Sequence, residues 1–416
     1  MFDNASQISA NRDKEIMTVT FRDKLLFVGA NGLLILPEHR EIRRQMPPQL
    51  SENAKKVQEV IDESVKLAKY ALAANFVVTI LLGAALNELL GTVNTYQLLV
   101  MMPLLTVSLP ANAGRFFAEV MRIAAFEVFD TKPALDRILR LEPADPFNAD
   151  FEVLGLESIY ILHNMGTLLL AFVYYVIVAV FSQLCRRSSH YKINKVGNKL
   201  HKELVWGSLI TLVTESYSML TISCMINLRF LSWDAWNTGV MSALSILVTL
   251  LLVAYPIYYA WKLTKHFVEL DTGYYRRHHY EFYKQLDLRN GKLVLLQPVW
   301  FLLRRLIISA MVVFLRTTVI WQIALMTLNV VAQVIILGRV QPFLTRSEIR
   351  YELFSETILM LVMYHMICFT PFVPDLEVRF QLGYLVCGVV GLHFAFTLFS
   401  LTRETFRKLR LRYLIH

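Results

Sequence analysis

Apolar and polar positions in this chain fall into long blocks rather than the short periods of a soluble fold. Nine apolar stretches lie near 70–90, 96–123, 158–184, 205–228, 239–263, 298–315, 319–337, 353–372 and 380–401. Each has at least the roughly 17 to 25 residues that a helix rising about 1.5 Å per residue needs to cross a hydrocarbon core about 30 Å thick. The pattern predicts an all-α membrane helix bundle with about nine transmembrane helices over 70–403. A polar region, 1–69, precedes it and a basic tail, 404–416, follows.

The connections orient these stretches. Basic residues gather after the third (Arg186, Arg187, Lys192, Lys195, Lys199, Lys202), the fifth (Lys262, Lys265, Arg276, Arg277, Lys284, Arg289, Lys292), the seventh (Arg339, Arg346, Arg350) and the ninth (Arg403, Arg407, Lys408, Arg410, Arg412). The intervening turns at 229–238, 316–318 and 371–379 carry about one Arg each, as short translocated loops do. All four basic connections can therefore be cytoplasmic together, with the C-terminus inside.

Within 1–69 no cleavable signal pattern stands out, and 51–69 reads as a polar helix running into the first stretch. The run 25–36 is apolar but short and broken by Gly29, Asn31 and Gly32; it reads as an anchor, a re-entrant piece, or a buried strand or helix. Pro103 and Pro110 punctuate the second stretch and predict a kinked or broken helix, because proline removes a backbone donor. The connection 126–157 has an acidic surplus. The connection 262–297 interleaves Tyr274, Tyr275, Tyr280, Phe282 and Tyr283 with Arg276, Arg277, His278 and His279. Its stretch 266–292 reads as an amphipathic segment at the cytoplasmic headgroup layer, rings at the interface and cations on anionic lipid.

Composition agrees with a membrane class: 55% of residues are hydrophobic, 18% are charged, and the mean hydropathy is +0.45. The net charge of +9 is spread around apolar stretches, so it reads as a topology signal and no nucleic-acid partner is expected. Cys185, Cys224, Cys368 and Cys387 lack metal spacing and read as reduced packing residues. No HExxH, GxSxG, GxxxxGK[ST] or strand-borne GxGxxG motif occurs, so no enzyme, metal or cofactor is expected.

Several islands then align in order. They are Phe147, Asn148, Ala149, Asp150, Phe151 and the following residues to Ser158, with Asn164, Met165 and Gly166; Glu215, Ser216 and Tyr217; Phe301, Leu302, Leu303, Arg304 and Arg305; Gln341, Pro342 and Phe343; Glu352 and Glu356; Tyr364 and His365; Phe369 through Asp375; and Arg379 and Gly383. Together they resemble the C-terminal membrane region of transient-receptor-potential-like multi-pass proteins of ciliates and other protists. The resemblance runs from about the second stretch to the end, and implies an ion channel. This chain departs from that family at 1–69, which holds no Cys where such proteins carry a large, often Cys-rich extracellular region.

An ionisable side chain inside a span costs roughly 2.5 to 3.5 kcal/mol on insertion scales and calls for a partner or a role. Glu215, Asn164, Asn329, Glu352, Glu356 and His365 are the candidates for a polar interior route, with Glu215 about midway along the fourth stretch. Glu352 and Glu356 share one helix face at the entrance of the eighth. Arg304 and Arg305, with Arg276 and Arg277, are candidates for lipid headgroups; for the first two, pairing with Glu352 or Glu356 is the other expectation. The loops are too short for a re-entrant filter and no TVGYG-like run appears. The expectation is a channel-like protein passing cations through a polar interior, alone or as a homo-oligomer. A transporter or lipid-moving protein, and a non-conducting membrane subunit, remain the alternatives.

Overall fold

The computed structural model describes residues 98–124, 146–201 and 208–415, except 157. It also describes the backbone of four short strands and single helical positions 56, 59, 60, 63 and 137. The first apolar stretch, and nearly all of the helix expected over 51–69, lie outside the described residues. In the N-terminal region β1 (Ile16–Thr20) pairs antiparallel with β4 (Glu41–Gln45), and β2 (Phe27–Val28) with β3 (Leu34–Ile35). The run 25–36 thus contributes two short strands and no membrane helix, which corrects the all-helical expectation here. Gly29, Asn31 and Gly32, poor helix formers, interrupt it.

Every other regular element among the described residues is helical. The long helices are α1 (Ala111–Ala124), α2 (Gly166–Arg187), α3 (Tyr191–Leu200), α4 (Ser208–Arg229), α5 (Trp236–Lys265), α6 (Leu296–Phe314), α7 (Val319–Val340), α8 (Arg346–Cys368) and α9 (Leu376–Ile415). Five are long and apolar enough to cross a membrane, over Leu168–Arg187, Trp236–Lys265, Lys292–Phe314, Val319–Val340 and Leu376–Ser400. They match the third, fifth, sixth, seventh and ninth expected crossings. The fourth and eighth correspond to α4 and α8, of 22 and 23 residues, which are long enough but carry more polar residues.

The second expected crossing is broken where its prolines predict. Met102–Leu104 forms a 3-10 turn, Leu105 is extended, and α1 begins only after Pro110. Helix α8 begins at Arg346, seven residues before its apolar pattern, because Thr345 and Glu348 form a capping box. The Glu348 N–H donates to Thr345 Oγ1 and the Thr345 N–H to Glu348 Oε2, both at 3.2 Å. Gln341, at φ 47°, closes α7 in the left-handed region ahead of Pro342.

Helix α4 packs between α5 and α6; α7 packs on α6 and α8; α9 packs on α8 and α1. Side chains such as Leu250, Ile257, Ile320, Leu328, Ile335, Leu385, Leu392 and Phe399 point outward from α5, α7 and α9. Exposed apolar surface on this scale is compatible with a multi-pass protein whose outer faces meet lipid.

Several of the connections gather into two groups. At one end, the Asp287 N–H donates to the Pro342 carbonyl (2.8 Å), the Leu344 N–H to Gln285 (3.1 Å) and Asn290 Nδ2 to Gln341 (3.0 Å). His201, after α3, lies within electrostatic reach of Arg186 and His278. The connections after the third, fifth and seventh stretches therefore meet. At the other end, Arg229 Nη1 donates to the Val313 carbonyl (2.6 Å), Arg316 lies over the Phe147 and Phe151 rings, and Asn227 Nδ2 donates to the Ile159 carbonyl (3.0 Å). Arg229 thus ties its turn to the end of α6, and Arg316 ties the next turn to the segment that holds Phe147 and Phe151.

The connection 266–292 is not one interfacial helix. It breaks into short turns at Phe267–Glu269, Gly273–His278, Tyr280–Tyr283 and Leu288–Asn290. Half of its rings face inward: Phe282 stacks on Tyr259 of α5 at 4.4 Å, and Tyr283 Oη donates to the Leu270 carbonyl (2.7 Å). Val268, Tyr274 and Tyr280 stay exposed. His279 is buried between Tyr259 and Tyr275, and burial, with Lys262 and His278 adding to it, pushes its pKa from 6.5 down to about 4. A histidine held neutral in this way stabilises the fold fully above pH 6.5 and progressively loses that contribution as pH falls towards 4. The thermal midpoint is therefore expected to fall between pH 7 and 5, and His279→Phe to flatten that slope; an equal slope in the variant rules the assignment out.

Candidate functional site

The middle of the bundle holds a layer of charge built from three helices. Arg304 lies eleven residues before the turn that starts at Leu315, and Glu356 eleven residues after the Thr345 cap, so both sit at mid-depth. Arg304 grips Glu356 through both ends of its guanidinium, Nη1 on Oε1 and Nη2 on Oε2 (2.8 Å), with both side chains almost fully buried. This bidentate geometry is the strong form of the pair.

Arg305 is 0% exposed. Its guanidinium lies 3.5 Å from the centroid of the Phe301 ring, and Nη1 donates to the Phe301 carbonyl at 3.2 Å. Glu215 on α4 and Glu352 and Glu356 on α8 all attract it electrostatically, while Arg304 opposes it. Among the described residues, the layer so assembled gathers three carboxyl groups around two guanidiniums.

Polar contacts hold the supporting helices in register. Thr221 Oγ1 and Ser309 Oγ share a hydrogen bond (2.7 Å) between α4 and α6, and Ser309 Oγ also donates to the Arg305 carbonyl (2.8 Å). Tyr217 Oη donates to the Leu252 carbonyl (2.7 Å), clipping α4 to α5. Ser355 pairs with His393 Nε2 (3.1 Å) and Tyr351 with Thr397 (3.1 Å), joining α8 to α9. At the end bearing Arg316, Gln322 Oε1 accepts from both the Thr106 N–H (2.9 Å) and Thr106 Oγ1 (2.8 Å), which brings the broken second stretch against α7.

Of the residues expected along an interior route, Glu215, Glu352 and Glu356 meet in this layer. Asn329 lies eleven residues past Thr318, which puts it at the level of Arg304. Asn164 does not join them: its amide closes a turn, Nδ2 donating to the Ser158 carbonyl (2.6 Å) and Oδ1 accepting from the Ser158 N–H (3.2 Å). His365 sits nine residues beyond Glu356, with Nδ1 on the Leu361 carbonyl (2.7 Å). Glu352 and Glu356 stand deeper than a helix entrance, because α8 starts before its apolar pattern.

For Arg304 and Arg305 the headgroup expectation gives way to pairing, since both guanidiniums are enclosed and Arg304 is spent on Glu356. Arg276 is exposed on the basic end, 4.0 Å from Asp271; the Arg277 side chain lies outside the described residues. His393, Gln322, Gln333 and Gln297 were not singled out by sequence, although each is a buried polar residue inside or beside an apolar stretch, the signal that flagged Glu215. No protein-family model, curated protein or solved structure matches this chain.

Proposed function

We propose that this chain is a multi-pass membrane protein that passes a cation through its polar interior, with the mid-bundle layer as the step that selects for positive charge. The observation that carries this reading is the gathering of three acidic side chains, Glu215, Glu352 and Glu356, around Arg304 and Arg305 at mid-depth. A buried ion pair needs only matched charges to be structural. The acidic groups gathered there draw a mobile cation, and the Arg304–Glu356 pair is placed to hold the path shut until it opens. No pore filter enters the reading, because the turns 315–318 and 369–375 are too short for one.

The broken helix at Pro103 and Pro110, tied to α7 through Thr106 and Gln322, supports a second reading as a transporter, since interrupted helices expose backbone to a carried ion. The full count of nine crossings, with α4 and α8 shielded by the more apolar helices, belongs to the proposal. So do the cytoplasmic placement of the basic end and C-terminus, and the contact of Arg276 with anionic headgroups. The likeness to transient-receptor-potential-like proteins adds to it, as the islands around Glu215, Arg304 with Arg305, and Glu352 with Glu356 converge on one layer.

Cation flux into vesicles holding the purified protein tests this. A unit charge about 10 Å away at an effective dielectric of about 20 is worth about 1.7 kcal/mol, so Glu215→Gln is expected to lower flux by about tenfold or more. Equal flux in parent and folded variant removes the role of Glu215; silence in both sinks the reading.

A further inference from the structure

The buried faces of the neighbouring helices α6 and α7 each carry a row of polar atoms with no hydrogen-bond partner among the described residues. On α7 they are Gln322 Nε2, both amide atoms of Asn329, and Gln333 Oε1; on α6 they are Gln297 Oε1, Trp300 Nε1 and Arg304 Nε. Gln297, Arg304, Gln322, Asn329 and Gln333 are each more than nine-tenths buried. Enclosed amides are nearly always hydrogen-bonded, and in protein interiors the commonest partner that is not protein is water.

Their spacing makes the row continuous. On α7, Gln322, Met326, Asn329, Gln333 and Leu337 form one buried stripe at intervals of three and four residues. On α6, Gln297, Trp300, Arg304, Ile308 and Met311 run at the same intervals. The two helices pack together and reverse direction through the turn 315–318. Counted from that turn, Asn329 and Arg304 stand at one level, eleven residues in, and Gln333 and Trp300 at another, fifteen residues in. Donors and acceptors therefore occur at matching heights on neighbouring helices. Gln322 tops the row beside Thr106, and Gln297 ends it at the second residue of α6.

We propose that α6 and α7 enclose a file of bound water running from Gln322, past Asn329 and the Arg304–Glu356 pair, to Trp300 and Gln297. The ligand class is water, held by amide and indole groups. The file gives the ionic layer an aqueous connection towards both ends of the bundle; as a route it rests on the cation-passing reading, but its hydration does not. On α7 the three buried amides serve this purpose and need no contact with a partner protein.

The test is radiolytic hydroxyl-radical labelling of the full chain in lipid nanodiscs, because radicals born from bound water oxidise the methionines beside it. Met326, between Gln322 and Asn329, and Met311, level with Gln322, are both buried, as is Met241 on α5, away from the row. Met326 and Met311 are expected to label about tenfold faster than Met241, the contrast between a side chain beside ordered water and one in dry packing. Asn329→Leu, and separately Gln333→Leu, are expected to bring Met326 down to the Met241 rate without lowering the thermal midpoint. Equal labelling of all three methionines in the parent overturns the file even if flux is normal. Fast labelling of Met326 and Met311 in a protein that passes no ions keeps the file and removes the transport reading instead.

Discussion

Glu356→Ala is expected to be the most damaging single change in the described part of the chain. It leaves the Arg304 guanidinium enclosed at mid-bundle without its bidentate partner, and removing one member of a buried pair costs about 3 to 5 kcal/mol. Arg305 suffers as well, because Glu356 is one of the three carboxylates that attract it. A loss of that size is a large fraction of the stability of an ordinary domain, so the variant should be recovered poorly and melt many degrees below the parent in detergent. The double change Arg304→Met with Glu356→Leu removes both charges at similar volume and should restore much of the midpoint, because apolar replacements of buried pairs are often neutral. Fluorescence-detected size exclusion across a temperature series measures both. A single variant as stable as the parent would show that the pair contributes little, and a double variant as unstable as the single would place the cost in packing rather than charge.

The members of this layer could be named from the sequence, but their meeting could not. Glu215, Arg304, Arg305, Glu352, Glu356 and Asn329 stand out because an ionisable or amide side chain in an apolar stretch breaks the pattern. Which face each occupies is another matter. In a helix surrounded by lipid on one side and protein on the other, both sides are apolar, so the 3.6-residue period that betrays a buried face in water is nearly silent. That is why Asn164, which closes a local turn, and His365, which bonds back to Leu361 within α8, look as promising in sequence as Asn329.

Helix limits were legible where apolar composition sets them. The seventh stretch was expected over 319–337 and α7 runs Val319–Val340; the fifth was expected over 239–263 and α5 runs Trp236–Lys265. Apolar composition missed the start of α8, which the Thr345 and Glu348 capping box sets inside a charged segment and which that Thr-x-x-Glu spacing could have announced. The prolines at 103 and 110 announced their break because their chemistry is local. The connection 266–292 misled because its rings alternate between solvent and the surface of α5, and composition alone does not say which ring goes where.

Gly383→Ala is expected to unlock the broken second stretch from the last helix. A Cβ built on Gly383 of α9 falls 2.3 Å from Asn112 Oδ1 and 2.8 Å from Cγ, so one of the two must move. The Asn112 amide has little freedom to yield: Nδ2 donates to the Phe380 carbonyl (2.8 Å), and Oδ1 accepts from the Ala113 N–H (2.9 Å) as α1 begins. Swinging it away forfeits both bonds in a side chain only 2% exposed, and forcing α9 outward opens the packing of α9 on α1. Overpacking of this kind costs about 1 to 3 kcal/mol. Asn112→Ala removes the obstructing amide, so the double variant Asn112→Ala with Gly383→Ala should be more stable than the sum of the two single losses predicts. Thermal midpoints of the four proteins measure that coupling. Strict additivity would mean that the close approach of Gly383 to Asn112 does not hold α1 and α9 together, and that the half-helix after Pro110 is anchored by its apolar contacts alone.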